Sequence, residues 1–165
     1  MKIYIIGPVG SGKTTFSKKL AEKYNIKRYE LDKVSWDDEH GNVKRSDEEA
    51  LKIFNKILKN KSWIMEDVGR EKFKQGRVDA DIIYYIKLSR LKSYLRVTKR
   101  WLKQRLGKET YNHPPTIKQF FYFVSTVNSY YGKEKKKLKG LEEFSDKVVF
   151  VTKKDINKII NEDKK

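Results

Sequence analysis

The apolar positions change period along the chain. Ile3, Tyr4, Ile5 and Ile6 form a short continuous run, which predicts a buried strand over 2–6. Phe16, Leu20 and Tyr24 then recur at helical spacing, predicting a helix over 13–24. A second strand is expected at 28–31, ending at Asp32. Ser46, with Glu49 three residues on, has the form of a capping box and opens a helix with Ala50, Leu51, Phe54, Ile57 and Leu58 on one face. Residues 62–66 and 82–88 read as further strands, the latter a near-continuous apolar run suited to a sheet interior. Leu91, Leu95, Thr98, Leu102 and Leu106 mark the apolar face of a long helix over 90–106, which Gly107 stops. A helix over 116–137 carries Ile117, Phe120, Phe121, Val124, Val127 and Tyr131, a stripe that reads as core packing. The lysine-rich run 133–139 reads as its end in solvent. A last strand at 147–151 and a short helix with Ile156, Ile159 and Ile160 close the chain.

Strands alternating with helices predict an α/β protein whose parallel sheet is covered on both faces. The chain has 165 residues, a length that suits one domain spanning 1–165. No repeat or low-complexity linker is visible.

Between the first strand and the first helix stands GPVGSGKT, residues 7–14. Strand, glycine-rich turn and helix are the context in which G-x-x-x-x-G-K-[ST] binds phosphate. Gly7, Gly10 and Gly12 allow a backbone that approaches a ligand closely. The N–H groups of Pro8's neighbours Val9, Gly10 and Ser11, and of Lys13, Thr14 and Thr15, then converge at a helix N-terminus, where an anion is favoured. Lys13 can reach the outer phosphates, and the Thr14 hydroxyl can ligate Mg²⁺. ATP and Mg²⁺ are the expected cofactors, on a three-layer α/β/α P-loop NTPase fold with five parallel strands.

Composition narrows the partners. The net charge is +17, mostly from lysine spread along the chain, which attracts anions such as nucleotides or nucleic acid. Scattered lysines without interleaved aromatics also fit a plain solvated surface. There is no cysteine, and the histidines, His40 and His113, are far apart, so neither disulfides nor a structural zinc site is expected. No apolar run reaches membrane-spanning length, and the N-terminal run is too short for a signal peptide. A cytoplasmic protein without a membrane partner is expected, as a monomer or weak dimer.

Ligands of open α/β sheets bind beyond the carboxyl ends of the strands. Asp32 ends the second predicted strand, and Glu66 and Asp67 end the third. Carboxylates there could order Mg²⁺ through its waters or orient a substrate hydroxyl; the same residues could equally cap a helix or line a loop. Glu66 follows Trp63, Ile64 and Met65 as an acid closing a buried strand, and Asp67 is a further candidate ligand. Arg96 and Arg100 lie four apart on a helix face distinct from the leucine stripe, and arginine matches phosphate oxygens.

With these residues placed, the chain resembles the nucleoside monophosphate kinases, adenylate kinase above all. Within them it is most similar to a short branch, the DNA topology modulation adenylate-kinase-related proteins. The resemblance spans nearly the whole length. The family's D-G-F-P-R corresponds to Glu66, Asp67, Val68, Gly69 and Arg70, and its R-x-x-x-R to Arg96 and Arg100. Leu31, Asp32 and Trp36 fit the short branch's L-D-x-x-x-W, and Trp63 and Ile64 its W-I. The resemblance implies that Arg70 holds the acceptor, with Asp32 and Trp36 beside it. It also implies that Arg96 lies near the donor base and Arg100 on the transferring phosphates. Departures are Glu at position 66, Asp67 and Val68 in place of a small pair, and an abbreviated lid. Only Arg105 and the loop at 108–115 remain for that lid, a short helical segment at about 105–116. The expected function is phosphoryl transfer from Mg·ATP to a small acceptor, a nucleoside monophosphate or related metabolite. The alternatives are an ATP-switched regulator that binds DNA through its basic surface, and a slow ATPase.

Overall fold

The computed structural model describes residues 1–37, 43–109 and 114–162. His40, His113 and residues 110–113 of the expected lid lie outside the described residues. In chain order the elements are β1 (Lys2–Ile6), α1 (Lys13–Tyr24), β2 (Arg28–Glu30), α2 (Leu31–Ser35), β3 (Trp36–Asp37), β4 (Val43–Lys44), α3 (Asp47–Leu58), β5 (Trp63–Asp67), α4 (Lys74–Asp79), β6 (Ile82–Ile86), α5 (Arg90–Arg105), α6 (Ile117–Gly132), α7 (Glu134–Lys139), β7 (Val148–Val151) and α8 (Lys153–Asn161).

Five strands form one parallel sheet in the order β2-β5-β1-β6-β7, while β3 and β4 pair antiparallel beside it. The alternation of side chains along each strand supplies two cores. Ile3, Ile5 and Ile64 meet Phe16 and Leu20 of α1 and Ile156 of α8 on one face. Tyr4, Ile6, Trp63 and Met65 meet Ala50 and Phe54 of α3, together with Phe73 and Phe144, on the other. Burying each such side chain contributes ~1.5–3 kcal/mol, which is why the sheet strands read as continuous apolar runs. The capping box of α3 is present: Ser46 Oγ accepts from Glu49 N at 3.2 Å, and Ser46 N donates to Glu49 Oε2 at 3.0 Å.

Among the described residues, no helix is long and apolar enough to cross a membrane.

Several local expectations are corrected. The second strand stops at Glu30, so Asp32 lies in the first turn of the short helix α2. The pair β3–β4 and the helices α2 and α4 have patterns too short to read from periodicity. Helix α5 exists, yet its leucine stripe is the outer face: Leu91, Leu95, Leu102 and Leu106 are exposed, and Ser93, Val97 and Gln104 are buried. The buried side faces the loop after β1: Ser93 Oγ donates to Val9 O at 2.5 Å, and Val97 packs close to Gly10.

The helix expected over 116–137 breaks at Lys133, between α6 and α7. Its aromatic stripe is core only in part. Val127 and Tyr130 are buried, whereas Ile117 and Phe121 are exposed, because the first half of α6 runs past the sheet against α5. Trp101 and Phe120 stack there with ring centres 5.0 Å apart. The lysine-rich run does not simply end in solvent. Lys137 Nζ donates to Val68 O at 2.7 Å and Gly69 O at 2.8 Å, tying α7 to the turn after β5.

Candidate functional site

Strand β1 is central in the sheet, and the loop that leaves its carboxyl end passes straight into α1. Gly10 and Gly12 have φ of 76° and 95°, a region that only glycine occupies without strain. A Cβ on Gly10 would stand 3.2 Å from Arg96 Cβ, so glycine also lets α5 close on the loop. Gly12 caps α1 with no side-chain hydrogen bond, and a Cβ there would meet nothing within 4 Å. No side chain therefore caps the first N–H groups of α1, the kind of helix start where an anion is favoured. Ser11 N donates to Pro8 O at 3.2 Å and tightens the turn. Ser11 Oγ is buried and finds no partner among the described residues.

Lys13 folds back over the loop, its Nζ donating to Gly7 O at 2.9 Å and Pro8 O at 3.0 Å. Burial lowers its pKa, against the pull of the carboxylates of Asp32, Glu66 and Asp67. Thr14 Oγ1 donates to Glu66 Oε2 at 3.1 Å. Thr15 follows in the first turn of α1, exposed.

Glu66 and Asp67 are neighbours on β5, so they leave the sheet on opposite faces. Glu66 turns toward α1 and the loop. Its Oε1 accepts from Arg28 Nη1 at 2.6 Å, and Arg28 Nη2 reaches Glu30 Oε1 at 2.7 Å. Burial raises the Glu66 pKa, Lys13 and Arg28 oppose that shift, and the charge of Glu30 adds to it. Asp67 turns the other way. Its Oδ2 accepts from Arg70 N at 2.5 Å and its Oδ1 from Arg70 Nη1, while Tyr4 OH approaches it at 3.4 Å. Arg70 Nη2 donates to Asp32 Oδ1. Burial by itself would lower the Arg70 pKa, yet the two carboxylates more than offset it and hold the guanidinium firmly charged. Asp67 therefore belongs to the Arg70 cluster, and Glu66 is the acid at Thr14.

The structure brings Arg96 to the loop, with Nη1 donating to Gly10 O at 2.9 Å and Ser11 O at 3.3 Å. It does not bring Arg100 or Arg105 there. Arg100 pairs with Glu109 at 3.4 Å, and the Arg105 guanidinium lies 5.2 Å over the Trp101 ring. Trp36, half-buried at the start of β3, offers its carbonyl to Arg45 Nη1 at 2.7 Å. Beyond the ends of β6 and β7 opens a cleft of about 890 Å³, lined by Ser11 and Arg96 and by Thr152 to Lys154.

Arg28, Glu30 and Lys137 were not singled out from sequence. Arg28 and Glu30 carried one usable signal, opposite charges two apart in a predicted strand; Lys137 carried none within a run of lysines.

A central glycine-rich loop joining a parallel strand to a helix, with a lysine folded over it and a hydroxyl against a carboxylate, defines an α/β protein of the P-loop class. Within that class the chain belongs to the AAA domain family, whose model matches residues 3–119. Among solved structures it is similar to a gluconokinase from Sinorhizobium meliloti 1021, with a TM-score of 0.55 and 15% identity, over 98% of this chain and 87% of that one. At that identity the likeness speaks for the fold. No curated protein sequence matches.

Proposed function

We propose that this protein transfers a phosphoryl group from Mg·ATP to a small-molecule acceptor. One observation carries the reading: the glycine-capped start of α1, Lys13 folded over the loop and the Thr14–Glu66 pair all stand at the loop that leaves β1. Phosphoryl transfer asks a protein for position and positive charge, and little covalent help. The loop amides and Lys13 would hold the outer phosphates. The Thr14 hydroxyl and the Glu66 carboxylate are hard oxygen donors of the kind Mg²⁺ takes, and the ion would gain its other oxygens from phosphate and water. Bound there, Mg²⁺ would neutralise charge on the phosphates.

Arg96 sits where it can meet phosphate oxygens beside the loop, and the cleft beyond β6 and β7 would take the nucleoside. Arg70 and Asp32, on the β2–β5 side, stand toward the acceptor, with Trp36 beyond them. Arg100 and Arg105 both lie on α5, one held by Glu109 and the other over Trp101, and would act on the phosphates only after leaving those contacts. The resemblance to nucleoside monophosphate kinases and the fold shared with a gluconokinase both favour a small acceptor.

A coupled assay of acceptor-dependent ADP release tests this. Lys13→Ala is expected to lower turnover by roughly 10²-fold or more, while Lys136→Ala, on the exposed side of α7, leaves it unchanged. Equal rates for Lys13→Ala and the wild type would defeat the proposal.

A further inference from the structure

The two sides of the loop differ in charge. The cleft beyond β6 and β7 is lined by Lys87, Arg90, Lys92, Arg96, Lys153 and Lys154 against one carboxylate, Glu134. Such a surface draws in an anionic nucleotide, whose nucleoside the cleft would take while its phosphates lie on the loop. On the β2–β5 side the guanidiniums are already matched. Arg28 is held by Glu66 and Glu30, and Arg70 by Asp67 and Asp32.

Arg70 is the group that a phosphate-bearing acceptor would need. Recognition of phosphate by arginine relies on a fork whose N–H groups are directed at the ligand. Here Nη1 is bound to Asp67 and Nη2 to Asp32, so both prongs of the fork are engaged. Asp67 cannot swing away: its side chain is fully buried, and its second oxygen holds the Arg70 backbone N–H. Two carboxylates offset the one guanidinium, so Arg70 presents no uncompensated fork to a phosphate dianion. Asp32 differs from Asp67 in its freedom. Its side chain is 63% exposed, and its charge acts on Lys13. An exposed carboxylate near the phosphate-binding lysine, steadied by one arginine, is placed to receive a proton.

We infer that the acceptor is a hydroxyl of a polyhydroxy compound carrying no phosphate, and that Asp32 takes its proton. This rests on the phosphoryl-transfer reading above and narrows its substrate class. As the acceptor oxygen bonds to the γ-phosphorus, its proton passes to the Asp32 carboxylate. The bond from the γ-phosphorus to its bridging oxygen breaks, and ADP leaves with that electron pair. Nothing is oxidised or reduced. Arg70 then acts as a positioning residue, fixing the Asp32 carboxylate through Oδ1.

The test is ADP release from the full chain at saturating Mg·ATP, with glycerol, ribose, glucose or gluconate compared with AMP, CMP, GMP or UMP. At least one of the first set is expected to raise the rate about tenfold or more, and no monophosphate by more than about twofold. Asp32→Asn is expected to lose that stimulation by roughly 10²-fold, with Mg·ATP affinity unchanged by calorimetry. Asp32→Glu should recover part of it. Stimulation by a monophosphate above every polyhydroxy compound overturns the inference, as does stimulation by neither set while Mg·ATP still binds. So does a gain in monophosphate-dependent turnover in Asp32→Asn, since an anionic acceptor would profit from losing a neighbouring carboxylate. A wild type that binds no Mg·ATP fails the kinase reading itself, and calorimetry records that separately.

Discussion

Arg28 shows how much of the site depends on residues outside the loop. Glu66 is buried on β5 and would be costly as a lone charge; Arg28, from β2, supplies the opposite charge at 2.6 Å. Removing one partner of a buried pair leaves the other uncompensated. Arg28→Ala is therefore expected to destabilise the fold by ~2–3 kcal/mol, below the full buried-pair cost because Arg28 is partly solvated. Adding Glu66→Gln should return part of that loss, which urea denaturation of both variants would measure. A change within about 0.5 kcal/mol for Arg28→Ala would contradict the account. The loop residues Gly7 to Thr15 were legible in sequence because their geometry is local: each acts through backbone a few positions away. Arg28 was not, because its partner Glu66 lies 38 residues along the chain and meets it only through the β2–β5 register. Lys137 was hidden for the same reason, reaching back 69 residues to Val68.

Helix α5 carries the same lesson for elements. Its leucines recur at helical spacing, but periodicity says only that one face differs from another, not which one is covered. The covered face is chosen by what lies beneath, and here that is loop backbone approached through Ser93, Arg96 and Val97. Leu91→Ser and Leu95→Ser are accordingly expected to shift stability by no more than about 0.5 kcal/mol. Val97→Ala should cost ~1.5–2 kcal/mol from its lost methyl groups. Thermal or urea unfolding decides it, and the reverse ranking would restore the leucine stripe to the core. The α3 capping box and its buried face were readable because both are set within one helix. The break between α6 and α7 was not, since it depends on α7 docking onto the turn after β5.

For the molecule as a whole, the alternation of strands and helices made the parallel sheet legible, and the family match and the shared fold with a known kinase structure agree with it. Overall charge was legible too, but not its distribution. A net +17 conceals a cationic cleft on one side of the loop and a neutralised set of ion pairs on the other. On the proposed reading, that asymmetry would divide the molecule into a nucleotide side and an acceptor side. All of it depends on the loop after β1 holding phosphate. Titration calorimetry of the full chain with Mg·ATP tests this most directly. Saturable 1:1 binding with Kd of about 1–100 μM is expected, or about −8.2 to −5.5 kcal/mol. A well-folded sample that releases no heat and gains no thermal protection from Mg·ATP would contradict the account.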